Sequence, residues 1–174
     1  MKSIFTLLFI MTLSTFSAAQ DGTANTTKKT FNRSTSVSIQ INADPSIIWT
    51  LLTNASDFPR WNSTIISLEG EIKEGNKIKL KSTVDPSRTF KLKVKSLKPE
   101  MEMIWKSGAA PFFRGIRTYS ITRNPDGTST FAMKEKLGGM MFPMASKSIP
   151  PFDESFEQFA KDLKREAESI EQEN

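Results

Sequence analysis

Residues 37–61 read VSIQINADPSIIWTLLTNASDFPRW, the most informative stretch of the chain. Its first five residues alternate apolar and polar side chains, which is typical of a β-strand with one buried face. Asp44 is placed to cap a helix whose first turn is set by Pro45, and Phe58 and Trp61 close a second, short helix. The stretch therefore predicts a strand over 35–42 that leads directly into helices over 45–53 and 57–61.

Six further segments have the composition of strands and are separated by turn sequences such as Asn124-Pro125-Asp126-Gly127. They are residues 64–72, 77–84, 89–97, 101–106, 115–123 and 128–137. After a Gly- and Met-rich loop over 138–147, we expect a helix from 150 to about 170. Its apolar residues form one stripe: Phe152, Phe156, Phe159, Leu163 and Ala167. This order predicts an α+β fold in which an antiparallel sheet wraps around a long C-terminal helix.

The composition excludes several classes of site. The chain has 174 residues, a net charge of +5 and neither His nor Cys. Without these two residue types there are no His-based triads, no disulfides and few options for a metal, so we expect no metal and no cofactor. The lysines are not interleaved with aromatic residues, so no nucleic-acid partner is expected. The length suits a monomer with a single core.

The first 19 residues have the pattern of a secretory signal peptide. Lys2 precedes an apolar run over 4–13, and small residues at 17–19 suit cleavage before Gln20. An uncleaved membrane anchor is the alternative, although the run is shorter than the roughly 20 residues that span a bilayer. Residues 20–33 are polar, so we expect a flexible leader before a domain over 34–174. The sequence therefore predicts an exported protein, periplasmic or extracellular.

The turn at 124–127 sets the register of the last hairpin, because it suits a three-residue loop with Gly127 in the left-handed conformation. Pairing outward from the turn gives three cross-strand pairs on one face: Ile121 with Phe131, Tyr119 with Met133, and Arg117 with Glu135. That face carries most of the apolar side chains, so we expect it to be the concave face of the sheet.

The hairpin also carries a resemblance. The pattern Gly115-x-Arg117-x-Tyr119-x-Ile121, followed by Phe131-x-Met133-x-Glu135-x-Leu137-x-Gly139, resembles the START-like (SRPBCC) superfamily and, within it, the polyketide cyclase/dehydrase and lipid-transport group. The order of elements in 37–61 is similar to the start of the same group. The chain departs from the pattern at Arg117 and Met133, where the group often has His. The resemblance implies a helix-grip fold over about 36–170, with an apolar ligand between the sheet and the long helix.

Arg117, Tyr119 and Glu135 are the polar candidates for the site. Arg117 could hold the carboxylate or enolate of a ligand by bidentate hydrogen bonds, or could form a structural cross-strand ion pair with Glu135. Tyr119, the only tyrosine, could orient a ligand carbonyl or simply fill space.

A set rich in Met and aromatic residues is the apolar candidate. It could form an adaptable pocket wall and lid, or ordinary packing beneath the long helix. The candidate ligand-binding residues in this set are Met103, Trp105, Met133, Met141 and Phe142. Its other members are Met101, Phe112, Phe113, Met140 and Met144.

Lysines alternate with apolar residues along two neighbouring strands: Lys77, Lys79 and Lys81, then Lys91, Lys93 and Lys95. Because side chains alternate between the two faces of a strand, these lysines share one face. That face either makes weak contact with an anionic membrane surface or is the solvated convex face of the sheet.

These observations favour an exported binding protein for a hydrophobic small molecule or lipid. The alternative is a cyclase/dehydrase-type enzyme, in which Arg117, Tyr119 and Glu135 polarise and deprotonate a polyketide-like carbonyl substrate. Binding is favoured because the sequence has neither His nor Cys, and it also has neither a phosphate-binding loop nor a nucleophile elbow.

Overall fold

The computed structural model describes residues 21–173. The strands are β1 Asn25–Lys29, β2 Asn32–Ile41, β3 Ile65–Glu69, β4 Lys77–Ser82, β5 Thr89–Lys98, β6 Glu102–Ala109, β7 Phe113–Arg123 and β8 Ser129–Gly138. The helices are α1 Pro45–Thr53, α2 Phe58–Trp61, α3 Phe142–Ala145 and α4 Asp153–Glu173. Short 3-10 turns lie at Ala55–Asp57 and Ser146–Ser148.

The eight strands within residues 21–173 form one antiparallel sheet in the order β1-β2-β8-β7-β6-β5-β4-β3. The core lies between α4 and one face of this sheet, called the inner face below. The α+β helix-grip fold predicted from the sequence is therefore confirmed. The β7–β8 register is also the predicted one, since Arg117 lies opposite Glu135 and Tyr119 opposite Met133.

The start of α1 forms as its sequence predicts. The carboxylate of Asp44 accepts a hydrogen bond from the backbone N–H of Ser46 at 2.9 Å, and Pro45 opens the first turn. Downstream, Phe58 and Trp61 pack together with ring centroids 4.9 Å apart. Both are fully buried, so α2 acts as an anchor in the core rather than as a surface turn.

Helix α4 is fixed to the rest of the chain mainly by side chains near its middle. Asp162 is buried, and its carboxylate accepts hydrogen bonds from the backbone and hydroxyl of Ser63, from Gln158 and from Arg165. Burial alone would raise the pKa of Asp162, but these donors outweigh it and hold the pKa below its ordinary value. Lys164 adds a hydrogen bond of 2.7 Å to a backbone carbonyl at the end of β2.

The leader prediction is wrong for residues 25–33. Residues 25–29 form edge strand β1, and β2 begins at Asn32 rather than near 35. The two strands are also joined by their threonine hydroxyls, Thr26 to Thr35, at 2.7 Å. Strand β1 lies at the edge of the sheet and makes little apolar contact, so its sequence does not alternate apolar and polar side chains. The sequence therefore carries no signal for a strand in this segment. The predicted signal peptide, residues 1–19, lies outside the described residues.

Two boundaries near the C-terminus also differ from the sequence prediction. The Gly- and Met-rich segment, expected as a loop, contains α3 and a 3-10 turn. Helix α4 begins at Asp153 rather than at the prolines. Residues 150–152 are not helical, and Asp153 and Glu154 occupy the first turn, where carboxylates suit the helix N-terminus.

Candidate functional site

A cavity of about 640 Å³ lies between the inner face of the sheet and the N-terminal half of α4. Most of its wall is apolar: Ile65, Leu80, Val84, Phe90, Leu92, Trp105, Phe113, Met133, Leu137, Ile149, Phe152, Phe156 and Phe159. The charged and hydroxyl groups in the wall are fewer: Thr64, Ser82, Asp85, Arg88, Thr89, Lys91, Ser107, Arg117, Glu135, Ser148 and Ser155.

The Arg117–Glu135 pair is the charged feature inside the cavity. Nε and Nη2 of Arg117 both contact Oε2 of Glu135, as the cross-strand register predicts. The two side chains are only 17% and 11% exposed. The guanidinium also lies over the ring of Phe156, with Cζ 5.3 Å from the ring centroid, so α4 covers the pair.

The electrostatics keep Arg117 charged. Burial opposes the charged form of Arg117, but Glu135 and Tyr119 outweigh burial, so the pKa of Arg117 lies above its ordinary value. Burial raises the pKa of Tyr119 to about 12, an effect that the charge of Arg117 only partly offsets. Tyr119 is therefore protonated at neutral pH and cannot serve as a base there.

Two buried polar atoms beside the pair lack hydrogen-bond partners among residues 21–173: Nε1 of Trp105 and the hydroxyl of Tyr119. The Tyr119 hydroxyl is near enough to Arg117 to interact electrostatically, but the geometry is not that of a hydrogen bond. The two rings meet edge to face with centroids 5.0 Å apart. Each unpartnered group costs stability, of the order of 1–3 kcal/mol.

The structure divides the candidate residues into three groups. Arg117, Glu135, Met133 and Trp105 line the cavity. Tyr119 and Met103 are buried in the core next to it and do not border it. Neither member of the third group lines the cavity: Met141 is exposed and Phe142 is buried.

Phe142 nevertheless supports the cavity wall. Its ring stacks on Phe113 with the centroids 6.4 Å apart, and Phe113 borders the cavity. The Gly- and Met-rich segment, for which a pocket wall and lid was one of two expectations, therefore contributes to the wall through this contact and through Ala145, which lines the cavity directly. The lid role of Met141 is not supported by this placement.

Several wall residues were missed by sequence reasoning. Phe90 and Leu92 are the apolar partners of the alternating lysines, so the period-two pattern was a signal that could have identified them. Arg88 lies over the ring of Phe90 at 5.0 Å and had no sequence signal. Gly115 makes room beside the pair, because a Cβ there would lie 2.7 Å from Oγ of Ser107.

Arg33 was also missed, since it falls in the predicted leader. It is buried and donates hydrogen bonds to the backbone carbonyls of Ile149, at 3.3 Å, and Pro150, at 2.8 Å. Its guanidinium stacks on Phe152 at 4.7 Å. Burial lowers the pKa of Arg33, an effect partly offset by Asp153 and Glu135. Arg33 thus holds the segment that forms one edge of the cavity.

Most of the lysine-rich face is exposed, as the alternation predicts, although Lys91 also borders the cavity. Lys77 lies opposite Lys93, and Lys79 opposite Lys91. Within residues 21–173 no group of His, Cys, Asp and Glu side chains is arranged to bind a metal ion. No helix in that part of the chain is long and apolar enough to cross a membrane.

Solved structures with a similar fold support this architecture. A START superfamily protein from Mycobacterium smegmatis gives a TM-score of 0.59 at 15% identity, covering 79% of this chain and 98% of that one. A hypothetical protein from Helicobacter pylori gives 0.62 at 10% identity, covering 76% and 86%. The di-domain ARO/CYC BexL from the BE-7585A biosynthetic pathway gives 0.61 at 13% identity, covering 80% and 51%. At these identities the likeness concerns the fold alone.

The sequence comparisons are more specific. A search of curated proteins gives no match. Residues 32–168 match the family described as polyketide cyclase / dehydrase and lipid transport, which takes in β2 to β8 and most of α4. Together with the helix-grip fold, this match shows that the chain belongs to the polyketide cyclase/dehydrase and lipid transport family of START-like proteins.

Proposed function

We propose that this protein is an exported binding protein for a hydrophobic small molecule or lipid, held in the cavity between the sheet and α4. The observation that carries the proposal is the cavity itself, about 640 Å³ with a mainly apolar wall. Small-molecule sites in proteins typically enclose about 300–1,000 Å³, so the volume suits a ligand of ordinary drug or lipid-fragment size.

The Arg117–Glu135 pair indicates which class of ligand suits the cavity. Glu135 balances the charge of Arg117, so the inner end of the cavity is close to neutral. An anionic ligand would have to displace the carboxylate from the guanidinium, which costs a buried contact. Nη1 of Arg117 makes no hydrogen bond within the described chain and remains a donor for a ligand oxygen. These features favour an uncharged apolar ligand with one carbonyl or hydroxyl group.

Titration with Nile red, an uncharged fluorescent probe, tests the proposal. We expect about one probe bound per folded chain. Ser155→Phe places a ring into the cavity from α4, so it should weaken binding at least about tenfold, which corresponds to about 1.4 kcal/mol. Ser169→Phe is the matched control, because it makes the same change at an exposed position of the same helix. Equal weakening by both variants, or probe binding only on unfolding, would contradict the proposal.

The enzyme alternative rests on the presence of Arg117 and Glu135 in the cavity wall, where they could polarise and deprotonate a carbonyl compound. The contact between them favours binding over catalysis, because the carboxylate is already held by the guanidinium. Glu135→Gln separates the two functions. Turnover of a polyketide-like carbonyl substrate by the parent, lost in Glu135→Gln while Nile red binding persists, would establish the enzyme.

Export rests on the sequence pattern of residues 1–19 alone. The intact mass of the protein purified from its own host provides the test. A chain that begins at Gln20 supports export with cleavage, whereas a chain that retains the first 19 residues contradicts it.

A further inference from the structure

Exposed apolar side chains concentrate at one end of the sheet. Of the seven large hydrophobic residues exposed within residues 21–173, five lie on three neighbouring segments and are between 47% and 72% exposed. They form what we call the apolar tip: Phe31, Phe112, Met140, Met141 and Met144. A contiguous apolar group of this kind on a soluble protein usually marks an interaction site.

Backbone contacts show that the three segments meet. The N–H of Gly139 donates to the carbonyl of Phe31 at 3.2 Å, and the N–H of Met141 donates to that of Phe112 at 2.9 Å. Gly139 has a φ of 133°, and a Cβ there would lie 2.4 Å from the carbonyl oxygen of Phe112. The close approach therefore requires glycine, and the apolar tip has a defined backbone.

The charged residues in the segments that carry the apolar tip are all basic. Residues 28–33, 106–117 and 136–149 contain eight Lys or Arg and no Asp or Glu. Arg33 and Arg117 are committed to internal contacts. The other six form what we call the basic rim: Lys28, Lys29, Lys106, Arg114, Lys136 and Lys147. The adjoining Glu135 points inward to Arg117, so it does not offset the rim.

We propose that this end of the protein docks on an anionic lipid bilayer, with the apolar tip entering the interface and the basic rim contacting lipid phosphates. Protruding Met and Phe side chains adapt to a fluid interface, and cations beside them are attracted to anionic headgroups. A bilayer is favoured over a protein partner because the exposed apolar side chains lie on segments whose charges are all of one sign. Docking does not require the cavity to hold a ligand, so it can be tested independently of the binding function.

The tip is tested by sedimentation of the full chain with vesicles of phosphatidylcholine containing about 25% phosphatidylserine at low salt. Because residues 1–19 are themselves apolar, all comparisons are between variants of the same chain. Phe112→Ser/Met144→Ser should lower the partition coefficient at least about tenfold, since two inserted side chains are lost. Ile66→Ser/Met101→Ser is the matched control, because these are the two exposed large hydrophobic residues outside the tip within the described chain.

The rim is tested with Lys28→Gln/Lys136→Gln/Lys147→Gln. This variant should also lose more than about tenfold in binding at low salt, and the difference should shrink as salt is added. Its control is Lys77→Gln/Lys79→Gln/Lys93→Gln, which removes equal charge from the lysine-rich face.

Loss of vesicle binding in the tip and rim variants but not in their controls supports the proposal. Absence of vesicle binding by the parent chain overturns it, as does equal loss in a variant and its control. Loss of vesicle binding only in the variant of the lysine-rich face would assign the membrane contact to that face, and would also overturn the proposal.

Discussion

Replacing Arg117 with Met removes the guanidinium while keeping an apolar side chain of similar length against Phe156. It leaves the carboxylate of Glu135, 11% exposed, without its partner. Leaving a buried hydrogen-bonding group unpaired costs about 1–3 kcal/mol, and breaking a fully buried ion pair costs about 3–5 kcal/mol. The cavity gives this pair some access to water, so we expect a loss of about 3 kcal/mol in the free energy of unfolding at neutral pH.

The double variant Arg117→Met/Glu135→Leu should recover most of that loss, because no buried charge remains without a partner. Urea denaturation of the parent, the two single variants and the double variant gives the coupling free energy directly. Lys98→Met is the matched control. Lys98 forms a cross-strand pair with Glu102 at 3.0 Å, but its side chain is 63% exposed, so we expect a loss of less than about 1 kcal/mol.

Two outcomes would refute this reasoning. A loss in Arg117→Met no greater than that in Lys98→Met would show that the buried carboxylate is solvated without its partner. A double variant no more stable than Arg117→Met would show that Arg117 acts by some other contact, such as its stacking on Phe156. Nile red affinity in the double variant adds a second readout: unchanged affinity assigns the pair to the fold, and reduced affinity assigns it to the ligand.

Tyr119→Phe should raise the free energy of unfolding at neutral pH by up to about 1–3 kcal/mol, because it removes a buried hydroxyl that has no partner within the described chain. The folded-state pKa of Tyr119, about 12, lies above the ordinary value. The free energy of unfolding of the parent should therefore fall by about 2–3 kcal/mol more than that of the variant as pH rises from 10 to 12. If urea denaturation gave the same pH dependence for both proteins, this prediction would be contradicted. Asp162→Asn should cost about 1–3 kcal/mol at neutral pH, since the carboxylate accepts several hydrogen bonds. Because the pKa of Asp162 is lowered in the fold, this deficit should shrink as pH falls below about 4, and a deficit independent of pH in acid would exclude the charge as its cause.

The fold could be predicted from the sequence because its signals are local. The cap at Asp44, the turn at 124–127 and the stripe on α4 each depend on neighbouring residues and agree with one another. The Arg117–Glu135 pair was also predictable, because a hairpin turn propagates its register along both strands.

The rest of the site depends on contacts between distant segments. Arg33 donates a hydrogen bond to the carbonyl of Pro150, 117 residues away in the sequence. No local pattern in the polar segment around Arg33 predicts this contact. The same limit explains why the sequence did not distinguish Met141 from Phe142. Both are apolar and adjacent, yet Met141, whose backbone N–H donates to the carbonyl of Phe112, is exposed, whereas Phe142 is buried. Apolar character predicts burial in general but not which apolar residues face solvent, a core or a cavity.

The arrangement of contacts along α4 explains how the fold can contain an empty volume of about 640 Å³. The middle of the helix is held by Asp162, by Lys164 and by close packing of Leu163 on the sheet. The N-terminal half borders the cavity and is held instead by Arg33, which fixes the segment before the helix. The hydrogen bonds made by α4 itself are therefore concentrated around its middle, whereas the cavity lies beside its first two turns.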